Sequence, residues 1–256
     1  MTTNSSTKTI EKCRHSPFHF IDRTLNVLIV DDDAASRDLI AIMVEPVTCY
    51  KVHMASSNGE ALNALKSGVR FHVCIVDLGL PDVENDEFYL IRNYAQHSSI
   101  IVLTGSPSPR KGAFCIQLGA RAVFDKGIAF DSLLFFRTLN RLALINLVNH
   151  RFNEWSTDTL NLATRLLFDK SPVSVTQWAD YLSISDRQLR NLWHTGSGFG
   201  AKQVLFLHHC FSSAFAYYES ILFKTEDGER TTKSACLPNL YSYFRKNRDL
   251  LSFLIS

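Results

Sequence analysis

Three consecutive carboxylates, Asp31-Asp32-Asp33, follow one apolar run of the chain; Asp77 follows another, Thr104 a third, and Lys126 comes just after a fourth. Hard oxygen donors of this kind suit Mg²⁺, which binds through a few carboxylates together with waters and phosphate oxygens. A carboxylate can accept a phosphoryl group when a metal and a lysine neutralise the charge and a hydroxyl bonds the new oxygens. Taken singly, each strand-end aspartate reads more simply as a helix cap, with Asp32 or Asp33 placed just before Ala34.

The elements that position these groups follow from periodicity. Asn26–Val30, Val73–Val76 and Ile100–Leu103 are continuous β-branched or aliphatic runs, as expected of strands buried on both faces. Tyr50–Ala55 alternates like a strand, and Ala122–Phe124 is a short fifth one. Between them, 34–44, 58–66, 88–94 and 109–118 have helical spacing, and a long helix is expected from about Asp131 to His150. Strands alternating with helices imply a doubly wound α/β fold with a five-stranded parallel sheet. Such folds bind ligands beyond the carboxyl ends of their strands, where the acidic groups fall.

The segments Val27-Leu28-Ile29-Val30-Asp31-Asp32-Asp33, Val76-Asp77-x-x-Leu80-Pro81, Val102-Leu103-Thr104 and Gly119-Ala120-x-x-x-x-x-Lys126 resemble the signatures of response-regulator receivers, with Asn58-Gly59-Glu60-Ala61 as a softer match. The resemblance covers nearly all of residues 25–150 and implies a flavodoxin-like fold. It implies that Asp31, Asp32, Asp77 and the Gly79 carbonyl hold Mg²⁺, and that Asp77 accepts a phosphoryl group from a histidine kinase or phosphotransfer protein. Thr104 and Lys126 would sense the phosphoryl oxygens. Three positions depart from the pattern: Gly127 replaces a proline after the lysine, Asn85 replaces a glycine, and Val123 stands where a switch aromatic is usual, beside Phe124. The glycine at 127 predicts a looser loop.

After residue 150 the pattern is wholly helical. Residues 156–169 read as a helix capped by Ser156 or Thr157, and Ser174–Trp193 reads as two short amphipathic helices around a turn at Ser183-Ile184. Trp178, Ala179, Leu182, Ile184, Leu189 and Leu192 are the expected core of this helix-turn-helix. Its second helix would present Arg187, Gln188, Arg190 and Asn191, with His194, to the major groove. Residues 174–214 resemble the first helix-turn-helix of AraC/XylS-type regulators, which implies promoter DNA as a partner. The long helix from about Ala201 to Tyr218 lacks the usual arginine, whose place is taken by Cys210. Leu237–Lys246 is similar to the second recognition segment of that family, with Arg245 and Lys246 as phosphate contacts. The alternative is a helical module that binds protein.

The 256 residues thus divide into a polar leader at 1–24, a receiver at 25–150 and a helical output domain at 151–256, with net charges of +2, −2 and +2. The small basic excess is weak support for nucleic acid by itself. Six scattered cysteines, no apolar run of about 18 residues and no secretory signal lead to the expectation of a cytoplasmic bacterial protein without a membrane span. No pocket motif in the helical half points to an enzyme. Gly196–Gly200 follows a helix and reads as a connection rather than a phosphate loop. The end of the long helix is apolar on several sides (Leu142, Leu144, Ile145, Val148), so Leu144 and Val148 are expected to pack against the output domain or a second subunit, as in a homodimer.

Overall fold

The computed structural model describes residues 24–81, 87–106, 108–127, 130–153, 158–197 and 199–223. Asn85, Arg245, Lys246, the leader through residue 23 and the second recognition segment lie outside the described residues. Among the described residues, one compact unit runs to Ala143 and also takes in residues 221–223, and the other runs from Leu144 to Ser220.

The first unit contains β1 (Leu25–Val30), α1 (Ala34–Val44), β2 (Tyr50–Ala55), α2 (Asn58–Lys66), β3 (Val73–Asp77), α3 (Tyr89–Tyr94), β4 (Ser99–Thr104), α4 (Pro109–Gln117), β5 (Ala122–Asp125) and the start of α5 (Ser132–Asn153). All strand pairs are parallel, in the order β2-β1-β3-β4-β5. Because side chains alternate across a strand, Leu28, Val30, Cys74, Val76, Ile100 and Val102 form one core with Ala61, Leu90, Ile91 and Cys115. Val27, Ile29, Ile75 and Ile101 are buried on the opposite face. There Phe124 meets Phe135 of α5 edge to face, and the Tyr50 hydroxyl donates to Asn140 at 2.7 Å. Both faces are therefore covered, which accounts for the unbroken apolar runs in the central strands.

Helix starts follow side-chain caps. Asp33, Ser57 and Ser108 accept backbone N–H bonds at the first turns of α1, α2 and α4. The helix-to-strand turn after α4 is closed by Gly119 at φ +109, where a Cβ would come within 2.7 Å of the Ala95 side chain; glycine is the residue that fits.

The second unit takes up the C-terminal part of α5 and continues with α6 (Asp158–Lys170), α7 (Val175–Tyr181), α8 (Asp186–Ser197) and α9 (Ala201–Phe223) as far as Ser220. Its elements among the described residues are all helices. No described helix is long and apolar enough to cross a membrane. Cys49, Cys74, Cys115 and Cys210 are buried and form no disulfide among the described residues.

Candidate functional site

The strand register assembles the acidic pocket. Val30 pairs with Val76, Val76 with Val102, and Thr104 with Asp125. The chain therefore leaves the sheet at Asp31, Asp77, Thr104 and Lys126 along a single edge. Asp33 fulfils the capping role, accepting from the Ala35 and Ser36 amides, and this leaves Asp31 and Asp32 for other work.

Lys126 Nζ lies 2.5 Å from Asp31 Oδ2 and 2.8 Å from Asp77 Oδ2. Side-chain exposure is 1% for Asp31, 13% for Asp77 and 22% for Lys126, so the acceptor remains reachable while its neighbour is sealed. Burial pulls the Lys126 ammonium down, but the hydrogen bonds and charges of Asp31 and Asp77 outweigh it and hold its pKa above the ordinary lysine value. One oxygen from each of Asp31, Asp32 and Asp77 falls within 4.8 Å of the others. That anionic, all-oxygen set fits a hard divalent cation of the Mg²⁺ type. Gly79 stands beside the acceptor: a Cβ there would lie 3.7 Å from Asp77 Oδ2. The Leu78 amide donates to Asp77 Oδ1 at 2.8 Å, leaving Oδ2 toward Lys126.

Thr104 is buried, and its Oγ1 accepts from the Ser106 amide at 3.2 Å while its carbonyl accepts from Lys126 N–H at 3.0 Å. Residues 128 and 129, within the loop after Lys126, lie outside the described residues. Gly127 N–H donates to Asp125 Oδ1 at 2.8 Å, and Phe130 N–H donates to the Gly127 carbonyl at 3.0 Å. A proline at 127 would lack the first of these donors. Val123 packs on the core shared with Val102, whereas Phe124 points to the other face and joins Phe130 and Phe135. Phe124 is therefore no substitute for an aromatic at 123.

Two participants have no motif to reveal them. Ser36 Oγ donates to Asp31 Oδ2 at 2.6 Å, and Arg37 Nη1 donates to the carbonyls of Asp31 and Asp32 at 2.5 and 3.1 Å. Their only signal in the sequence is position: both lie in the first turn after the Asp33 cap.

In the second unit, α7 and α8 flank a tight turn in which Ser183 adopts φ +54 and Ile184 N–H donates to the Ala179 carbonyl. Trp178 and Trp193 are fully buried with ring centroids 5.3 Å apart, and Trp178 Nε1 donates to the Ala163 carbonyl of α6 at 2.9 Å. The core position expected of Leu192 is taken by Trp193, one residue on, with Leu192 half-buried. Arg187, Gln188, Arg190, Asn191 and His194 are all exposed on α8. Gln188 is engaged in a capping box: its Oε1 accepts from the Ser185 amide at 2.8 Å, and its own amide donates to Ser185 Oγ. Arg190 faces Asp186 at 3.4 Å, and Asp186 also accepts from Thr176 of α7. Cys210, where the resemblance expects arginine, is buried beside Phe211 and Ala214, so the position serves packing here. Leu144 and Val148 are 4% and 3% exposed in the single chain.

Comparison with known proteins gives matches to the first unit. The response regulator receiver domain family model matches residues 27–135. A curated relative, protein-glutamate methylesterase/protein-glutamine glutaminase 2 of Anaeromyxobacter dehalogenans, is 28% identical over 134 residues. That alignment spans half of this chain but only 39% of the relative. Solved structures similar to this chain include the Vibrio cholerae chemotaxis protein CheY4 (27% identity, 46% of this chain and 98% of that one, TM-score 0.40). Another is the receiver domain of a DNA-binding response regulator from Colwellia psychrerythraea (22% identity, 46% and 97%, TM-score 0.42).

Proposed function

With residues 27–135 a response regulator receiver domain, we propose that the chain is a phosphorylation-switched transcription regulator. Asp77 accepts the phosphoryl group, and the α7–α8 pair reads promoter DNA. The observation that carries the first half is the Lys126 ammonium bridging Asp31 and Asp77 beside a three-carboxylate cluster.

The donor is a histidine kinase or phosphotransfer protein. Its phosphohistidine P–N bond breaks as an Asp77 Oδ–P bond forms; the imidazole nitrogen keeps the electron pair and takes a proton from solvent. Asp31, Asp32, Asp77 and the Gly79 carbonyl would hold Mg²⁺, which would neutralise charge on the transferred group. Lys126 meets the developing negative charge, and the Thr104 hydroxyl turns from the Ser106 amide to bond a phosphoryl oxygen. The partial burial of Asp77 limits water around the acyl phosphate.

For the output, Arg187 and Asn191 lie one helical turn apart on the exposed face of α8, the arrangement a groove-reading helix requires. Arg and Asn are side chains that bond guanine and adenine edges in pairs. Arg190 joins them when its exposed bridge to Asp186, worth about 1 kcal/mol or less, is exchanged for a phosphate. A second reading, in which the helical half binds a protein partner, is favoured by the engagement of Gln188 and Arg190 within the chain. We assign no catalytic activity to this half.

Binding of genomic DNA fragments, titrated with salt in the presence and absence of a small phosphodonor, separates the two. The DNA reading predicts a steep fall in affinity with salt that Arg187→Ala/Arg190→Ala flattens. Salt-insensitive binding, or none with either form of the protein, supports the protein-partner reading.

A further inference from the structure

We infer that Ser36 is a positioning residue for the acidic pocket: its hydroxyl holds Asp31 in the orientation from which that carboxylate serves the divalent cation. The inference rests on the reading of Asp31, Asp32 and Asp77 as a Mg²⁺ site.

A carboxylate as deeply buried as Asp31 must find its hydrogen bonds within the protein. Among the described residues it has three donors. The Asp33 amide reaches Oδ1 at 3.1 Å, and Ser36 Oγ and Lys126 Nζ reach Oδ2 at 2.6 and 2.5 Å. Only one of these is mobile in the chemistry. Lys126 is shared with Asp77 at 2.8 Å, so a phosphoryl group arriving on Asp77 draws the ammonium toward its new oxygens. The Asp33 amide and the Ser36 hydroxyl are then what continues to fix Asp31.

The local sequence makes Ser36 able to do this. Asp33 caps α1 by accepting from the Ala35 and Ser36 amides, which sets the first turn and directs the short Ser36 side chain back over the end of β1. Arg37, next in the same turn, clamps the backbone by donating to the Asp31 and Asp32 carbonyls. Backbone and side chain of the same segment are thus held by adjacent residues. Partners that orient metal ligands in this way typically change metal affinity by about 10- to 100-fold when removed.

The test is a calorimetric titration of MgCl₂ into the full chain as wild type, Ser36→Ala and Ser36→Thr. The expected result is a roughly tenfold weaker Mg²⁺ affinity for Ser36→Ala and near-wild-type affinity for Ser36→Thr, which keeps the hydroxyl. In parallel, the Mg²⁺ concentration for half-maximal labelling by a small phosphodonor should rise for Ser36→Ala, while labelling at saturating Mg²⁺ stays close to wild type. Equal affinity of Ser36→Ala and wild type overturns the inference and leaves the pocket assignment standing. So does equal weakening in both variants, which would show that side-chain shape and not the hydroxyl matters. A wild-type chain that takes up no Mg²⁺ overturns the pocket assignment and the inference with it.

Discussion

The Lys126 ammonium touches two carboxylates at once, so its removal takes a donor from buried Asp31 and strips Asp77 of the charge that meets an incoming phosphoryl group. Removing one preorganised donor of this kind costs a rate about 10²- to 10³-fold. Lys126→Ala should therefore slow labelling by a small phosphodonor by at least about a hundredfold, measured as the initial rate at saturating Mg²⁺; an unchanged rate would show that the ion pair is only structural. Asp31, Asp77, Thr104 and Lys126 were legible in the sequence because each stands at the end of an apolar run, and strand ends converge in a parallel sheet. Ser36 and Arg37 were not, because their roles depend on a helix cap turning two side chains backward, which no periodicity encodes. Gln188 carries a second signal beside the one read. Its residue type pointed to adenine, yet the pattern Ser185-x-x-Gln188 ahead of Leu189 was a readable capping box.

At the level of elements, the order and type of the strands and helices followed from hydrophobic period alone, since a sheet covered on both faces leaves continuous apolar strands. What period could not supply was which face Phe124 takes; strand alternation puts Val123 on the core and Phe124 with Phe135, one residue out of step with the position an aromatic switch needs. A shift from Leu192 to Trp193 in α8 has the same origin: a helix face defined by three apolar residues leaves its centre uncertain by one position. Trp178 lies where α6, α7 and α8 meet, bonded to Ala163 and stacked near Trp193. Trp178→Ala should cost roughly 3–5 kcal/mol, seen as loss of the second unit's cooperative denaturant transition with the first unit still folded. Gln188→Ala should lower the stability of the same unit by about 1 kcal/mol and leave the base preference of any bound DNA unchanged; a changed preference would return Gln188 to the reading face.

For the molecule as a whole, the two units can be followed separately, because Trp155, Trp178 and Trp193 all lie beyond Ala143 and tryptophan fluorescence reports on the second unit alone. His208 of α9 gives that unit a pH signature. Burial, with a smaller contribution from neighbouring His209, lowers its pKa from 6.5 to about 4, and its ring stands edge-on to Phe168. Below pH 6.5 the unfolded chain takes a proton that the folded one refuses, so stability falls as pH drops from 6.5 toward about 4. The full effect is on the order of 3 kcal/mol at about 1.4 kcal/mol per pH unit. Urea unfolding of wild type and His208→Leu across that window should show the wild type losing more stability on acidification; parallel curves would contradict the assignment. The pocket is the part of the molecule on which everything else depends, and it is tested most directly by intact-mass analysis after incubation with a small phosphodonor and Mg²⁺. Wild type should gain one phosphoryl group when Mg²⁺ is present and none when it is omitted, and Asp77→Asn should gain none. A phosphoryl group that persists in Asp77→Asn would contradict the account.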